Sequence, residues 1–514
     1  MQFTEIGFAL FLLVVFTLYW FVARRHVRGR NLLVLASSYL FYGWWDWRFL
    51  LLIILTTLST YVTALYGRGK HGRLLTGVNI ALNLGILAAF KYLGFFVENL
   101  QRLLGAFGWN IDWFTVEVLL PVGISFYTFQ AIGYSIDVCR GEVKPCRDLL
   151  SFATFIAYFP QLVAGPIERA SALLPQLQSI RPWNRRQAVS GLQMILYGVV
   201  KKVALADMLA VYTDRLFLEG NLVDPKVTLI AGILFSLQIY CDFSAYSEIA
   251  RGTSRLLGVE LMANFRFPYF SRNVVEFWRR WHISLMMWFR DYLYIPLGGN
   301  RRGKARTYLN IAVVFLLSGL WHGAAWNFIV WGAYWAVVNI FCRLTGKVRD
   351  PKRPIEIRDL PQICVTFIVV TFGFYIFRCS DWSQMGAGFA NVAVYAIAAV
   401  VLWAIMYGVR GLVVRGLEAT ATKEVRGLAV KGLEWGVVIG VILFLVAKWP
   451  WSMAYYTWLP ALVIVWIEWR DRNTDHPYST QSRMRIMRWG MYWLLMLFAL
   501  LSEPIDMNFI YFQF

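Results

Sequence analysis

The sequence predicts an all-α, polytopic integral membrane protein of about 11 to 13 transmembrane helices, with re-entrant or short helices among them. Three observations carry this. Hydrophobic residues make up 59% of the 514 and charged residues 16%, against about 25% charged in soluble domains. Apolar runs of span length recur along the chain, and the 24 Trp and 26 Tyr suit two interfacial aromatic belts. Basic residues exceed acidic ones, 50 to 30, but fall in short clusters between the apolar runs. The preference for positive cytoplasmic loops explains that pattern, and no nucleic acid is needed.

In chain order, Phe8 to Ala23 forms the first span. It has no basic residues before it and Arg24 and Arg25 after it. It therefore reads as a retained span with an outer amino terminus, not a removed signal peptide. Leu32 to Trp45 and Phe49 to Tyr66 follow, hinged outside at Trp45-Asp46-Trp47-Arg48, and Leu75 to Phe96 spans outward again. Leu119 to Val138 returns to Arg140, Lys144 and Arg147. Leu149 to Tyr158 is only half a span and stops at a proline, so it reads as a re-entrant or membrane-surface segment.

Gln187 to Leu209 spans outward, although Lys201 and Lys202 weaken that assignment, and Val227 to Ala250 spans back. A basic, aromatic stretch from Arg251 to Arg306 leads to a run with no formal charge, Thr307 to Cys342. Its apolar part, Leu309 to Cys342, is 34 residues. That is too long for one span of about 20 residues and too short for two comfortable ones. We expect two short helices dipping into the membrane and meeting near His322. Later spans are expected at Val365–Phe377, Val392–Val409, Val437–Ala447, Tyr455–Ile467 and Trp489–Leu501. No loop is long enough for a soluble domain. The chain reads as one membrane-embedded domain, with N-terminal helices over 1–118, a core over 119–342 and C-terminal helices over 343–514.

Candidate chemistry rests on few residues. The six cysteines show no CxxC and no paired histidine at metal spacing, so neither a disulfide framework nor a metal site is expected. Of five histidines, His26, His71 and His476 lie in charged loops. His282 and His322 lie among tryptophans beside membrane segments, where an ionisable residue needs partners or a task. If Val275 to Tyr292 is one helix, Trp278, Trp281, His282, Leu285 and Phe289 share a face. The bland alternative is an aromatic belt whose histidines merely bond backbone. Gln130, Gln161, Gln238, Asp137, Asp242 and Asn327 read as hydrogen-bond partners between helices. The polar run Tyr240-Cys-Asp-Phe-Ser-Ala-Tyr-Ser247 could instead line a wet cavity. Two histidines without a Ser-Asp set or metal ligands suggest acid–base work on a bound substrate.

At these residues the chain resembles the membrane-bound O-acyltransferase superfamily and, within it, the alginate-acetylating group. The matching stretches are Leu120–Gln130, Tyr158–Ile167, Tyr240–Ser247, Phe277–His282, Tyr294–Gly299, Gly319–Gly323 and Phe509–Phe514, in order along nearly the whole chain. Ala245 departs from an expected glycine. The resemblance implies acyl transfer in a tunnel of a multi-pass protein of the bacterial inner membrane. His322 matches the family's histidine, as general base or as the site of an acyl-histidine, and His282 its second polar position. Trp281, Trp321 and Asn327 would shape the tunnel. It further implies a cytoplasmic thioester donor such as acetyl-CoA, no permanently bound cofactor, and a periplasmic SGNH-type partner that places acetyl groups on an exopolysaccharide. D-alanyl transfer, a transporter and a silent scaffold are the alternatives.

Overall fold

The computed structural model describes residues 1–69, 71–109, 121–218, 222–346, 353–419, 454–474, 485–501 and 509–510. Every regular element among the described residues is helical. Five segments carry stretches long and apolar enough to cross a membrane: Val27–Leu65, which folds back at Asp46, Gly72–Lys91, Pro225–Leu256, Trp326–Leu344 and Leu360–Arg378. A bent pair, Trp382–Ala390 with Val392–Gly408, adds a sixth. Shorter and interrupted helices fill in around them. The expected span Val437–Ala447 lies outside the described residues.

Helix α1 (Ile6–Thr17) runs into a π turn at Leu18–Val22. Helices α2 (Val27–Asp46) and α3 (Leu50–Leu65) fold back on each other at the expected hinge. There the Asp46 carboxylate accepts the backbone N–H of Arg48 at 2.9 Å. The fold-back brings distant residues to one neighbour: Asn31 on α2 donates to Ser151 at 3.0 Å, while Tyr61 on α3 packs on Phe152 with centroids 5.7 Å apart. Helix α4 (Gly72–Lys91) turns a polar stripe inward. On it Asn79 bonds Ser135 at 2.7 Å and Asn83 bonds the Asn79 carbonyl at 2.9 Å. Helix α5 (Leu93–Ala106) follows.

Helix α6 (Ile124–Arg140) is buried along most of its length. The expected half-span is real but lies inside the protein. Helix α7 (Leu149–Ala157) is wedged among α2, α3 and α9 (Ala170–Leu177), and α8 (Phe159–Leu162) turns the chain. The freed backbone is satisfied by side chains: Gln130 and Gln161 both donate to the Phe155 carbonyl, and Phe159 N–H donates to Ser38.

Helix α10 (Arg185–Val200) continues through a π segment, Lys201–Ala206, into α11 (Asp207–Leu218). It packs tightly on α12 (Pro225–Leu256), because Gly191 and Gly252 let the backbones meet. A Cβ on Gly191 would stand 2.7 Å from the Gly252 carbonyl oxygen. The two lysines that weakened this span are paired. Lys201 lies 3.2 Å from Glu248 and 2.7 Å from Glu468, and Lys202 lies 2.7 Å from Asp207 and 2.9 Å from Asp242.

The polar run Tyr240–Ser247 thus supplies ion partners and anchors. The Tyr240 hydroxyl donates to Glu468 at 2.9 Å, and Asp242 accepts the Ile510 N–H at 2.7 Å.

Helices α13 (Val274–Arg280), α14 (Ile283–Phe289), α15 (Gly303–His322) and α16 (Trp326–Leu344) build the site region. Behind them stand α17 (Leu360–Arg378), α18 (Trp382–Ala390), α19 (Val392–Ala419), α20 (Ala454–Asp471) and α21 (Arg485–Leu501).

Candidate active site

The charge-free run forms a helical hairpin with His322 at its turn. The two helices are not short. Helix α15 starts at Gly303, borrowing the basic turn before the apolar run, and reaches 20 residues. At 1.5 Å per residue it is about 30 Å long, the thickness of a bilayer core. His322 therefore sits at the far end of a full-length helix from the arginines at its start.

Two glycines bring α15 and α16 together: a Cβ on Gly319 would stand 2.2 Å from the Phe328 carbonyl oxygen, and one on Gly332 2.6 Å from that of Phe315.

His322 is 6% exposed. Its ring contacts Trp321, Trp331 and Phe377 with centroids 4.9, 5.1 and 5.2 Å away. The end of α4 grips the same turn. Lys91 Nζ donates to the carbonyls of Trp321 and His322 at 2.7 and 2.8 Å, and the Tyr92 hydroxyl donates to that of Leu320 at 2.7 Å.

The expected single helix from Val275 to Tyr292 does not form. Helix α13 stops at Arg280, Trp281 is extended, and α14 begins at Ile283. His282 takes a left-handed conformation, φ 45° and ψ 53°, unusual for a residue with a Cβ. A remote segment takes the backbone groups that a continuous helix would use. The Arg280 carbonyl accepts from Arg266 N–H at 2.9 Å, and Ile283 N–H donates to the Asn264 carbonyl at 2.9 Å. The Ser284 hydroxyl bonds the Asn264 side chain at 2.9 Å. At the other end Glu276 pins α13 between Arg272 and Arg280, at 2.9 and 3.0 Å. Burial pushes the Glu276 carboxyl up, but the two guanidinium groups outweigh it and hold the group below its usual range.

The kink turns His282 inward, where it is 1% exposed. Its ring lies against Phe243 (4.7 Å), Trp321 (5.8 Å) and Phe126 (6.2 Å). Neither ring nitrogen has a hydrogen-bond partner among the described residues. Buried polar atoms are rarely left so, and these two are free to serve a bound molecule.

Trp321 touches both histidines and joins them into one site. Trp281 lies one layer away, on Phe374 (4.8 Å) and Phe265 (5.1 Å). Asn327 acts from behind. Its amide donates to the Phe377 carbonyl at 2.8 Å, fixing the residue whose ring covers His322. The sequence reasoning did not single out Lys91, Trp331 or Phe377. Lys91 alone left a signal there, as a lone cation inside an expected span.

A cavity of about 590 Å³ approaches the site along α13 to α16. Exposed Arg279, Arg290 and Arg343 line it together with Trp278, Val314 and Phe315. Trp278 packs on Trp331 at 5.7 Å, and Trp331 packs on His322. Two aromatic contacts thus separate the cavity wall from the histidine.

A hairpin-borne buried histidine, a second buried imidazole and a cavity leading toward them suit a membrane enzyme. The chain belongs to the membrane-bound O-acyltransferase family, whose model matches residues 146–380, and it is a multi-pass membrane acyltransferase. Among its relatives is the probable alginate O-acetylase AlgI of Pseudomonas putida, 40% identical over 377 residues, which cover 72% of this chain and 76% of the relative. The peptidoglycan O-acetyltransferase of Helicobacter pylori is 34% identical over 330 residues, 58% of this chain and 62% of its own. The teichoic acid D-alanyltransferase of Bacillus subtilis is 29% identical over 279 residues, 50% of this chain and 68% of its own.

Proposed function

We propose that the protein takes acetyl groups from a cytoplasmic thioester, acetyl-CoA, and passes them across the bacterial inner membrane. They serve O-acetylation of an exopolysaccharide such as alginate, through a periplasmic acetyltransferase of the SGNH type. The relatives support the acetyl group and the polysaccharide. The observation that carries the donor is the cavity. Its rim bears Arg279, Arg290 and Arg343, and its inner wall is Trp278. Neither Arg279 nor Arg343 has an acidic partner among the described residues. Unpaired guanidinium groups suit the phosphates of coenzyme A, and basic loops lie on the cytoplasmic side.

In the mechanism, the neutral His322 imidazole takes the proton of the acceptor hydroxyl as its oxygen attacks the thioester carbonyl. The carbon–sulfur bond breaks, and the departing thiolate recovers that proton from the imidazolium. His282 offers a ring N–H to the carbonyl oxygen, where negative charge develops. Trp321 shapes the space between the two rings, Asn327 acts on it through Phe377, and Trp281 supports it from one layer away.

The donor assignment has a direct test. The double variant Arg279→Gln/Arg343→Gln is expected to raise KM for acetyl-CoA by about 3- to 10-fold with little change in kcat, since exposed charge pairs are screened. An unchanged KM would place the donor elsewhere.

A further inference from the structure

We propose that Lys91 is a positioning residue for acyl transfer: its ammonium fixes the last turn of α15 and offsets the negative end of that helix beside His322. The proposal rests on the reading of His322 as general base.

A helix ends with four carbonyls that find no partner within it. At α15 the chain does not supply the cap itself, because Gly323 leaves the helix extended, at φ −169° and ψ 161°. Helix α4 supplies it instead. Tyr92 takes the Leu320 carbonyl, and Lys91 takes those of Trp321 and His322. The lysine also lies 5.9 Å from the Trp321 ring, the ring that links the two histidines.

Placing a lysine in a helix apolar enough to cross a membrane is costly. The two hydrogen bonds that Lys91 makes could have been met by uncharged groups, as Tyr92 meets the third, so the charge needs its own reason. A helix carboxyl end carries about half a negative charge. Attack on a thioester puts negative charge on the carbonyl oxygen, and a bare helix terminus beside that oxygen would oppose it. The Lys91 ammonium, 2.8 Å from the carbonyl oxygen of His322, removes that opposition. Its neighbour Tyr92 is a built-in control, since it anchors the same turn without charge.

The experiment measures kcat, KM for acetyl-CoA and Tm for Lys91→Met, Lys91→Arg, Tyr92→Phe and His322→Ala in nanodiscs. Lys91→Met is expected to lower kcat about ten- to a hundredfold with KM nearly unchanged. Lys91→Arg, which keeps the cation and its donors, should restore most of the rate. Tyr92→Phe should cost less than about threefold, as the loss of one neutral hydrogen bond. Three results overturn the proposal: wild-type kcat in Lys91→Met, a Tyr92→Phe loss as large as that of Lys91→Met, or a folded Lys91→Arg as slow as Lys91→Met. If His322→Ala is itself active, the general-base reading fails, and this proposal fails with it. If His322→Ala is inactive while Lys91→Met is fully active, only the Lys91 proposal falls.

Discussion

Replacing His322 by alanine is expected to lower acyl transfer by about 10²- to 10⁴-fold, the range of a lost general base, while leaving the protein folded. The fold should survive because contacts to the backbone hold the turn. Lys91 and Tyr92 grip the carbonyls of residues 320 to 322, and glycine contacts lock α15 onto α16. The ring packs on Trp321, Trp331 and Phe377, with centroids 4.9 to 5.2 Å away. Free thiol released from acetyl-CoA reports the rate, and Tm reports the fold. Where alanine leaves too large a void, His322→Gln keeps most of the volume and lacks the base. A Gln variant as fast as wild type would remove His322 from the mechanism.

Lys201→Met should damage stability, not chemistry. The Lys201 side chain is fully buried, with carboxylates of Glu248 and Glu468 at 3.2 and 2.7 Å and the Ser244 hydroxyl at 3.0 Å. The rings of Tyr240 and Tyr197 flank it at 4.7 and 4.9 Å. Methionine fills the same space but strands two buried carboxylates. Breaking a buried ion pair from one side costs about 3 to 5 kcal/mol, which should appear as a lower Tm and a poor yield of monodisperse protein. Adding Glu468→Gln should recover part of the loss, because Tyr240 can still bond the amide oxygen. Wild-type stability in Lys201→Met would mean that these charges do not hold α10, α12 and α20 together.

What the sequence revealed depended on how local the cause was. The helical class and the hinge at Asp46 follow from apolar runs and short-range chemistry, and both were legible. So was the His322 hairpin, since a long uncharged run interrupted by glycine has few other solutions. The helix broken at Trp281–His282 was not legible. Its face pattern fitted one helix, and the competitors, Asn264 and Arg266, act through backbone groups that leave no periodic trace. The length of α15 was missed because the helix recruits charged residues that a hydropathy argument assigns to a loop. Lys201 looked like a flaw in a span because one partner, Glu468, lies far along the chain on α20. Lys91 went unremarked for a related reason. Its partners are carbonyl groups of another helix, and nothing in residue type announces them.

The most direct test of the account is vectorial. Proteoliposomes would carry the protein, with acetyl-labelled acetyl-CoA on the side of the arginine-rimmed cavity and the polysaccharide with its periplasmic acetyltransferase on the other. The account predicts label on the polysaccharide with coenzyme A left behind, and none with His322→Ala. Label that arrives equally well with His322→Ala, or that crosses only as intact acetyl-CoA, would contradict it.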